Sequence, residues 1–176
     1  MTLFPKAFLI VAALGLAACN NPDRFGGAGG AGADGLGNGT GFVDTTGLGD
    51  PNDPASIAYF NQRVGDRVLF PVDQHTLTPE ARTILAGQAQ WLMSNGGYAV
   101  IVEGHADEQG TREYNLSLGA RRAASVQSFL VSQGVPANRI RTISYGKERP
   151  LEVCSEEACY AKNRRAVTVL SVGSGV

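Results

Sequence analysis

The fold of this chain is decided by the stretch Gly104-His105-Ala106-Asp107-Glu108-Gln109-Gly110-Thr111-Arg112-Glu113-Tyr114-Asn115-Leu116-Ser117-Leu118-Gly119-Ala120-Arg121-Arg122-Ala123. It contains a dense cluster of charged and hydrogen-bonding side chains. The run before it, Tyr98-Ala99-Val100-Ile101-Val102, has the length and composition of a buried strand. The second half of the stretch places apolar residues at helical spacing. The polar cluster is therefore predicted to lie on a loop between a strand and a helix, where α/β folds commonly place binding groups.

The helix of this stretch is predicted to begin after Thr111, whose hydroxyl can cap the first turn. Rotation by 100° per residue puts the apolar stripe on Leu116, Ala120, Ala123, Gln127 and Leu130. Asn115 and Arg122 then lie two turns apart on one border of the stripe, and Arg121 points to solvent. Asp107 would lie near the helix start. An acid and an arginine held in this way could bind a ligand that carries both an ammonium and a carboxylate.

These motifs resemble the OmpA-like peptidoglycan-binding domain family. The resemblance covers roughly residues 64–172 and rests on the following residues: Gly104, Asp107, Gly110, Asn115, Leu118, Arg122, Ala123, Gly146, Asn163, Arg164 and Arg165. In that family the acid and the arginine of the motif hold the diaminopimelate residue of the peptidoglycan stem peptide. The chain departs from the common family pattern at Ala106 and Gly119, and neither departure changes the charged pair.

The resemblance also implies which residues surround the ligand. Asp107, Arg122 and Asn115 would contact it, and the remaining predicted site residues are Phe70, Asp73, Gly104, Ala106, Asn163 and Arg164. From the sequence alone, Asp73 reads first as a residue that caps its loop. The run Asn163-Arg164-Arg165 could likewise be an ordinary solvated turn, and only the resemblance makes it part of a pocket rim.

The length and composition of the chain permit one domain of ordinary size and additional segments outside it, because the chain has 176 residues and 43% of them are hydrophobic. The formal net charge of -1 argues against nucleic acid as a partner, since phosphate binding needs a clustered positive surface. Nothing in the sequence calls for a cofactor.

Residues 1–18 are predicted to be a lipoprotein signal peptide. Lys6 supplies a positive charge, residues 7–16 form a short apolar run, and Leu16-Ala17-Ala18-Cys19 ends the segment. Lipidated Cys19 would then be the first mature residue, anchored in the membrane by its acyl chains. The alternative is an ordinary cleaved signal peptide with a chance cysteine. Asn20 in place of aspartate resembles lipoproteins that are sent on to the outer membrane, with the domain in the periplasm.

Residues 19–54 are predicted to be the lipidated cysteine and a flexible tether, because glycine, aspartate, asparagine and alanine dominate and no apolar periodicity survives. Residues 55–176 form the predicted domain. Strands are expected at residues 67–70, 98–102, 140–145 and 166–172, with one helix after Thr78-Pro79 and another after Thr111. A short helix at residues 57–63 would be capped by Asp53, and another is possible at residues 156–161.

The order β-α-β-α-β-β predicts an α+β fold, a two-layer sandwich with helices on one face of a mixed four-stranded sheet. Cys154 and Cys159 lie close in sequence, and a secreted domain would favour a disulfide between them. A metal site is the weaker interpretation, because too few further ligands lie nearby.

An enzyme remains the alternative function. His105, Asp107 and Glu108 could form the metal or acid–base cluster of a peptidoglycan hydrolase. The chain has only two histidines, and alternate residues of an extended segment point to opposite faces, so we expect no catalysis. The preferred interpretation is an outer-membrane lipoprotein that binds peptidoglycan and ties the membrane to the wall. By resemblance, its protein partners would belong to the Tol system, which maintains envelope integrity and acts in cell division.

Overall fold

The computed structural model describes residues 47–153 and 155–172. A short helix α1 (Ile57–Tyr59) continues as a π-helical segment (Phe60–Gly65) and leads to the first strand. The remaining elements follow in this order: β1 (Arg67–Leu69), α2 (Pro79–Ser94), β2 (Tyr98–His105), α3 (Arg112–Ser132), a 3-10 turn (Ala137–Arg139), β3 (Ile140–Gly146), α4 (Glu157–Asn163) and β4 (Arg165–Val172). The predicted order of strands and long helices is confirmed, and the possible short helix before β4 is α4.

The four strands form one mixed sheet in the order β1-β4-β2-β3. Strand β2 pairs parallel with β3 and antiparallel with β4, and β4 pairs antiparallel with β1. The last residues of β1 and β2 and the first residues of β4 lie at the same end of the sheet. The loops that carry the predicted site residues therefore meet there.

One hydrophobic core lies between the sheet and the two long helices. Alternate strand residues face it, and they include Val68, Val100, Val102, Ala166 and Leu170. Helix α2 contributes Leu85 and Leu92, which are fully buried, and helix α3 contributes Ala123, Val126 and Leu130. The α+β sandwich predicted from the sequence is thus the observed fold.

Helix α2 begins as its sequence predicts. The Thr78 hydroxyl accepts a hydrogen bond from the Ala81 amide, and Pro79 occupies the first turn, where its missing N–H leaves no partner unsatisfied. Trp91 is 7% exposed and packs against Phe60 and Tyr98, so it belongs to the hydrophobic core.

The predicted rotation of helix α3 is wrong by about a quarter of a turn, or about 80° at 100° per residue. Leu116, placed at the centre of the apolar stripe, is 48% exposed. The face toward the sheet carries Asn115, Leu118, Gly119, Arg122, Ala123, Val126 and Leu130. This buried face contains two polar residues, Asn115 and Arg122, and the glycine Gly119. A prediction that looks only for hydrophobic residues places the buried face of the helix away from these three. Asn115 and Arg122 are consequently buried in the centre of the face and do not lie on its border, whereas Arg121 is exposed as expected.

The last part of the predicted tether is attached to the domain. The Leu48 carbonyl accepts a hydrogen bond from the Ala58 amide, and the Pro54 carbonyl accepts one from the Trp91 indole. The cap of α1 also differs from the prediction, because Ser56 accepts a hydrogen bond from the Tyr59 amide, while Asp53 closes the turn before it. Residues 1–46, which include the predicted signal peptide, Cys19 and most of the tether, lie outside the described residues.

Cys159 lies in α4 and is disulfide-bonded. Its predicted partner, Cys154, falls between the two described ranges, so this pairing stays a prediction. No helix within residues 47–153 and 155–172 has the length and apolar character needed to cross a membrane.

Candidate ligand-binding site

The site depends on an unusually close approach of β2 and α3. A Cβ atom on Gly104 would lie 1.9 Å from the Gly119 carbonyl oxygen, and one on Gly119 would lie 2.4 Å from the Ser144 hydroxyl. Glycine is therefore required at both positions. Two residues beyond Gly104, Ala106 is 2% exposed, and its amide donates to the Gly146 carbonyl. Gly104 and Ala106 set the position of the loop but do not line its pocket.

Arg122 is the largest fully buried side chain of the described residues. Its guanidinium donates hydrogen bonds to three backbone carbonyls, those of Gln74, His105 and Pro71, at 2.8, 2.8 and 3.2 Å. The ring of Phe70 lies 5.2 Å from the guanidinium carbon, within cation–π range. Burial lowers the pKa of Arg122 to about 10, a shift that Arg164 adds to and Asp107 opposes, so the group stays cationic at neutral pH.

Three of the five guanidinium N–H groups of Arg122 are used by these carbonyls. Arg122 also lines a pocket of about 240 Å³ that opens beside the loops. Two guanidinium N–H groups of Arg122 are left without a partner among the described residues, and a guanidinium fork matches the geometry of a carboxylate.

Asp107 lines the same pocket and is held by a different arginine. Its Oδ2 atom lies 3.2 Å from Arg164 Nη1, and its Oδ1 atom accepts a hydrogen bond from the Gln109 amide. Arg164 donates as well to Glu157 and to the Phe70 carbonyl. Burial acts to lower the pKa of Arg164, but the hydrogen bonds to Glu157 and Asp107 outweigh it and raise the pKa. Arg164 thus orients the Asp107 carboxylate from outside the pocket.

Asp73 and Tyr114 form the outer wall of the pocket. Asp73 has a positive φ of 57°, which side-chain-bearing residues adopt rarely and at some energetic cost. The Tyr114 hydroxyl donates a hydrogen bond to the Asp73 carboxylate, and this bond raises the pKa of the phenol. Tyr114 is a pocket residue that the sequence analysis does not identify. Its position beside Asn115 in the first turn of α3 is the feature that could have identified it.

Two asparagines brace the loops of the site. Asn115 is 1% exposed, and its amide donates to the carbonyls of Asp107 and Gln109. Asn163, also buried, accepts hydrogen bonds from the Leu151 and Glu152 amides. Asn115 lines the pocket, whereas Asn163 does not.

The structure thus brings four of the predicted site residues together in one pocket, namely Asp73, Asp107, Asn115 and Arg122. Two further predicted residues do not line the pocket but contact residues that do: Phe70 contacts Arg122, and Arg164 contacts Asp107. Gly104, Ala106 and Asn163 shape the loops without lining the pocket. The remaining lining residues are Val72, Gln109, Gly110, Tyr114 and Leu118.

The groups considered for catalysis do not converge. His105 is 1% exposed and lies outside the pocket, and burial, followed by the charges of Arg165 and Arg149, lowers its pKa to about 4. Glu108 accepts a hydrogen bond from Asn163. Within the described part of the chain, no group of three or more histidine, cysteine, aspartate or glutamate side chains is placed to hold a metal ion.

Comparisons with known proteins agree with this fold and these motifs. The model of the OmpA family matches residues 69–164. The peptidoglycan-associated lipoprotein of Mesorhizobium japonicum is 46% identical over 175 residues, covering 99% of this chain and 96% of the relative. That of Rhizobium meliloti is 55% identical over 122 residues, covering 69% of each chain.

Solved structures give the same result. The crystal structure of the peptidoglycan-associated lipoprotein from Burkholderia pseudomallei superposes with a TM-score of 0.62 at 35% identity, covering 70% of this chain and 98% of that one. The C-terminal domain of Helicobacter pylori MotB, 21% identical over 62% of this chain and 86% of its own, has the same fold with a TM-score of 0.58. This chain therefore belongs to the OmpA family, in the group of the peptidoglycan-associated lipoproteins.

Proposed function

We propose that this chain is an outer-membrane lipoprotein that binds peptidoglycan without covalent linkage, through the diaminopimelate residue of the stem peptide. Its relatives are named for their association with peptidoglycan, and its family is one of binding domains, so the chain is not an enzyme. The hydrolase alternative has no support in the geometry, because His105 is buried away from Asp107.

The observation that carries this proposal is the placement of Asp107 and Arg122 in the lining of one small pocket. The free end of diaminopimelate carries an ammonium and a carboxylate on the same carbon. The ammonium needs an acceptor, which Asp107 and Asp73 supply. The carboxylate needs paired donors, which the two unused N–H groups of Arg122 supply.

The surrounding residues hold both charged side chains in fixed positions before a ligand binds. Carbonyl bonds and the Phe70 ring fix the Arg122 guanidinium, and Arg164 fixes the Asp107 carboxylate. Because the groups are held before the ligand arrives, little side-chain entropy is lost on binding.

At the N-terminus we propose that lipidated Cys19 anchors the chain to the membrane. The domain would then lie in the periplasm and reach the wall from the inner side of the outer membrane. Two attachments, one to lipid and one to peptidoglycan, would tie the membrane to the wall. A role with Tol-system proteins in envelope integrity and cell division is proposed from the family resemblance.

Co-sedimentation with isolated diaminopimelate-type wall tests the proposal. Asp107→Asn keeps the shape of the side chain but removes the charge that holds the ligand ammonium. We expect wall binding to fall at least about tenfold, since removing one partner of a desolvated charge pair commonly costs about 2–5 kcal/mol. Arg122→Lys should lose binding too, because lysine lacks the planar fork.

Arg141→Gln is the matched control, because Arg141 is an exposed arginine of β3 that does not line the pocket. It should bind the wall as the unaltered chain does. Asp107→Asn protein that is folded and still binds at full strength would show that the proposal is wrong.

A further inference from the structure

A second groove lies beside the ligand pocket, between the loop before α2 and the outer side of α3. Its volume is about 510 Å³. Its polar lining residues are His75, Thr76, Arg82, Arg121, Ser125 and Ser128. Among the described residues that line it, none is an aspartate or a glutamate. The groove therefore combines positive charge with hydroxyl donors, the chemistry that binds an anion.

Neither arginine of the groove has an acidic partner among the residues that the structure describes. Arg82 is exposed and donates from Nε to the Leu77 carbonyl at 3.4 Å. Arg121 is exposed and donates from Nη1 to the Ser117 hydroxyl at 2.8 Å. In the described ranges, neither takes part in a salt bridge, whereas Arg67, Arg112 and Arg164 each do. Most of the N–H groups of Arg82 and Arg121 are therefore available to a ligand.

The groove and the pocket are neighbours, because residues adjacent in sequence line them. Arg121 lines the groove, and the next residue, Arg122, lines the pocket. On the facing loop, the Gln74 carbonyl binds Arg122, and the next residue, His75, lines the groove. A ligand whose charged end enters the pocket would thus have its neighbouring atoms close to the groove.

We propose that this groove binds a second carboxylate of the stem peptide, carried by a residue next to diaminopimelate. This inference rests on the proposed function. In a tetrapeptide stem, diaminopimelate follows a D-glutamate that is linked through its γ-carboxyl and keeps a free α-carboxylate. It precedes a D-alanine whose carboxylate is also free. Both carboxylates lie one residue from the anchored side chain, and either would complement Arg82 and Arg121.

Titration calorimetry with the full lipidated chain in detergent micelles tests this site. The probes are the tetrapeptide L-alanyl-γ-D-glutamyl-meso-diaminopimelyl-D-alanine and two analogues. One analogue carries an amide at the D-glutamate α-carboxyl, and the other carries an amide at the C-terminus. The analogue that has lost the bound carboxylate should bind about three- to tenfold more weakly, the range expected for a partly exposed charge pair. The affected analogue identifies which carboxylate is bound.

Arg82→Gln provides the second arm, because Arg82 lines the groove and not the pocket. It should weaken binding of the parent tetrapeptide and reduce the difference between the parent and the affected analogue, because only Arg121 then remains to pair with the carboxylate. The control Arg141→Gln should preserve both affinities and their difference, because Arg141 lines neither cavity.

The outcomes separate this inference from the function on which it rests. If the parent tetrapeptide does not bind the unaltered chain, the proposed function fails, and the inference fails with it. If the tetrapeptide binds and Asp107→Asn abolishes that binding, but neither amide weakens it, only the inference is overturned. The inference is also overturned if an amide weakens binding equally in the unaltered chain and in Arg82→Gln.

Discussion

The guanidinium of Arg122 is fully buried, yet it ends at a pocket wall and donates to three backbone carbonyls. This side chain is therefore part of the fold as well as of the proposed site. Its replacement leaves buried carbonyls unpaired, and each unpaired group costs about 1–3 kcal/mol. Arg122→Lys should consequently lower stability along with wall binding. Asp107→Asn should lower stability less, because Arg164 keeps its second acidic partner, Glu157, when the Asp107 charge is removed. Urea unfolding beside the sedimentation experiment separates the two effects.

Acid stability should depend on His105, a second buried residue of the same stretch. Its pKa in the folded chain is about 4, compared with 6.5 in an unfolded chain. The unfolded state therefore takes up the proton first as the pH falls. The stability gained from neutral His105 is fully present above pH 6.5, and it is lost as the pH falls to 4. The whole effect is on the order of 3 kcal/mol.

Urea unfolding at pH 7 and pH 4.5 measures this effect. The unaltered chain should lose markedly more stability on acidification than His105→Gln, which has no imidazole to protonate. His75→Gln is the control, because His75 is the only other histidine and is exposed. Equal acid sensitivity of His105→Gln and the unaltered chain would mean that another group is responsible.

At the scale of elements, the sequence predicts β1, α2, β3 and β4 well, because their apolar patterns and the cap of α2 are strong. Strand β2 begins as predicted but runs three residues further, to His105, because pairing with β3 and β4 extends it past the apolar run. The sequence fails on the rotation of α3. The buried face of that helix contains Asn115, Gly119 and Arg122, whose burial depends on tertiary partners that no periodicity reveals. The resemblance to a family identifies Asp107 and Arg122 as a pair, but not Arg164 as the residue that holds Asp107. That ion pair joins residues far apart in the sequence.

The packing of β2 against α3 gives a prediction for Gly104→Ala. The added methyl group would lie 1.9 Å from the Gly119 carbonyl oxygen, so backbone must move. Overpacking of this kind typically costs about 1–3 kcal/mol or more. Gly87→Ala in α2 is the contrasting variant, because its methyl group meets only Val64 at 3.9 Å. It should stabilise the chain by about 0.5–1 kcal/mol, since glycine is unfavourable inside a helix. Thermal melts of both variants would contradict the packing argument if Gly104→Ala were as stable as Gly87→Ala.

At the scale of the whole molecule, the fold class follows from the order of elements, but the strand order β1-β4-β2-β3 does not. Local patterns predict strands, and only the assembled sheet shows that β4 lies between β1 and β2. The boundary of the tether is similarly set by tertiary contacts. Gly47, Leu48 and Asp50 look like linker residues in composition, yet Leu48 and Asp50 are hydrogen-bonded to the start of the domain.

The proposed membrane anchor gives a prediction at this scale. Cys19→Ser should prevent lipidation, so the chain should leave the membrane fraction while its domain keeps its affinity for isolated wall. Fractionation, with mass spectrometry of the N-terminal peptide, checks this result. Normal processing and membrane association of the Cys19→Ser chain would argue against an acyl anchor at this residue.

The most direct test of the central claim compares two kinds of peptidoglycan. In one, the third residue of the stem peptide is meso-diaminopimelate. In the other it is L-lysine, which has the side-chain ammonium but not the adjacent carboxylate. If Asp107 and Arg122 bind both charges, the chain should co-sediment with the diaminopimelate-type wall, and free meso-diaminopimelate should compete. It should show at least about tenfold weaker binding to the lysine-type wall, because Arg122 has no carboxylate to pair with. Equal binding to both walls would contradict the account.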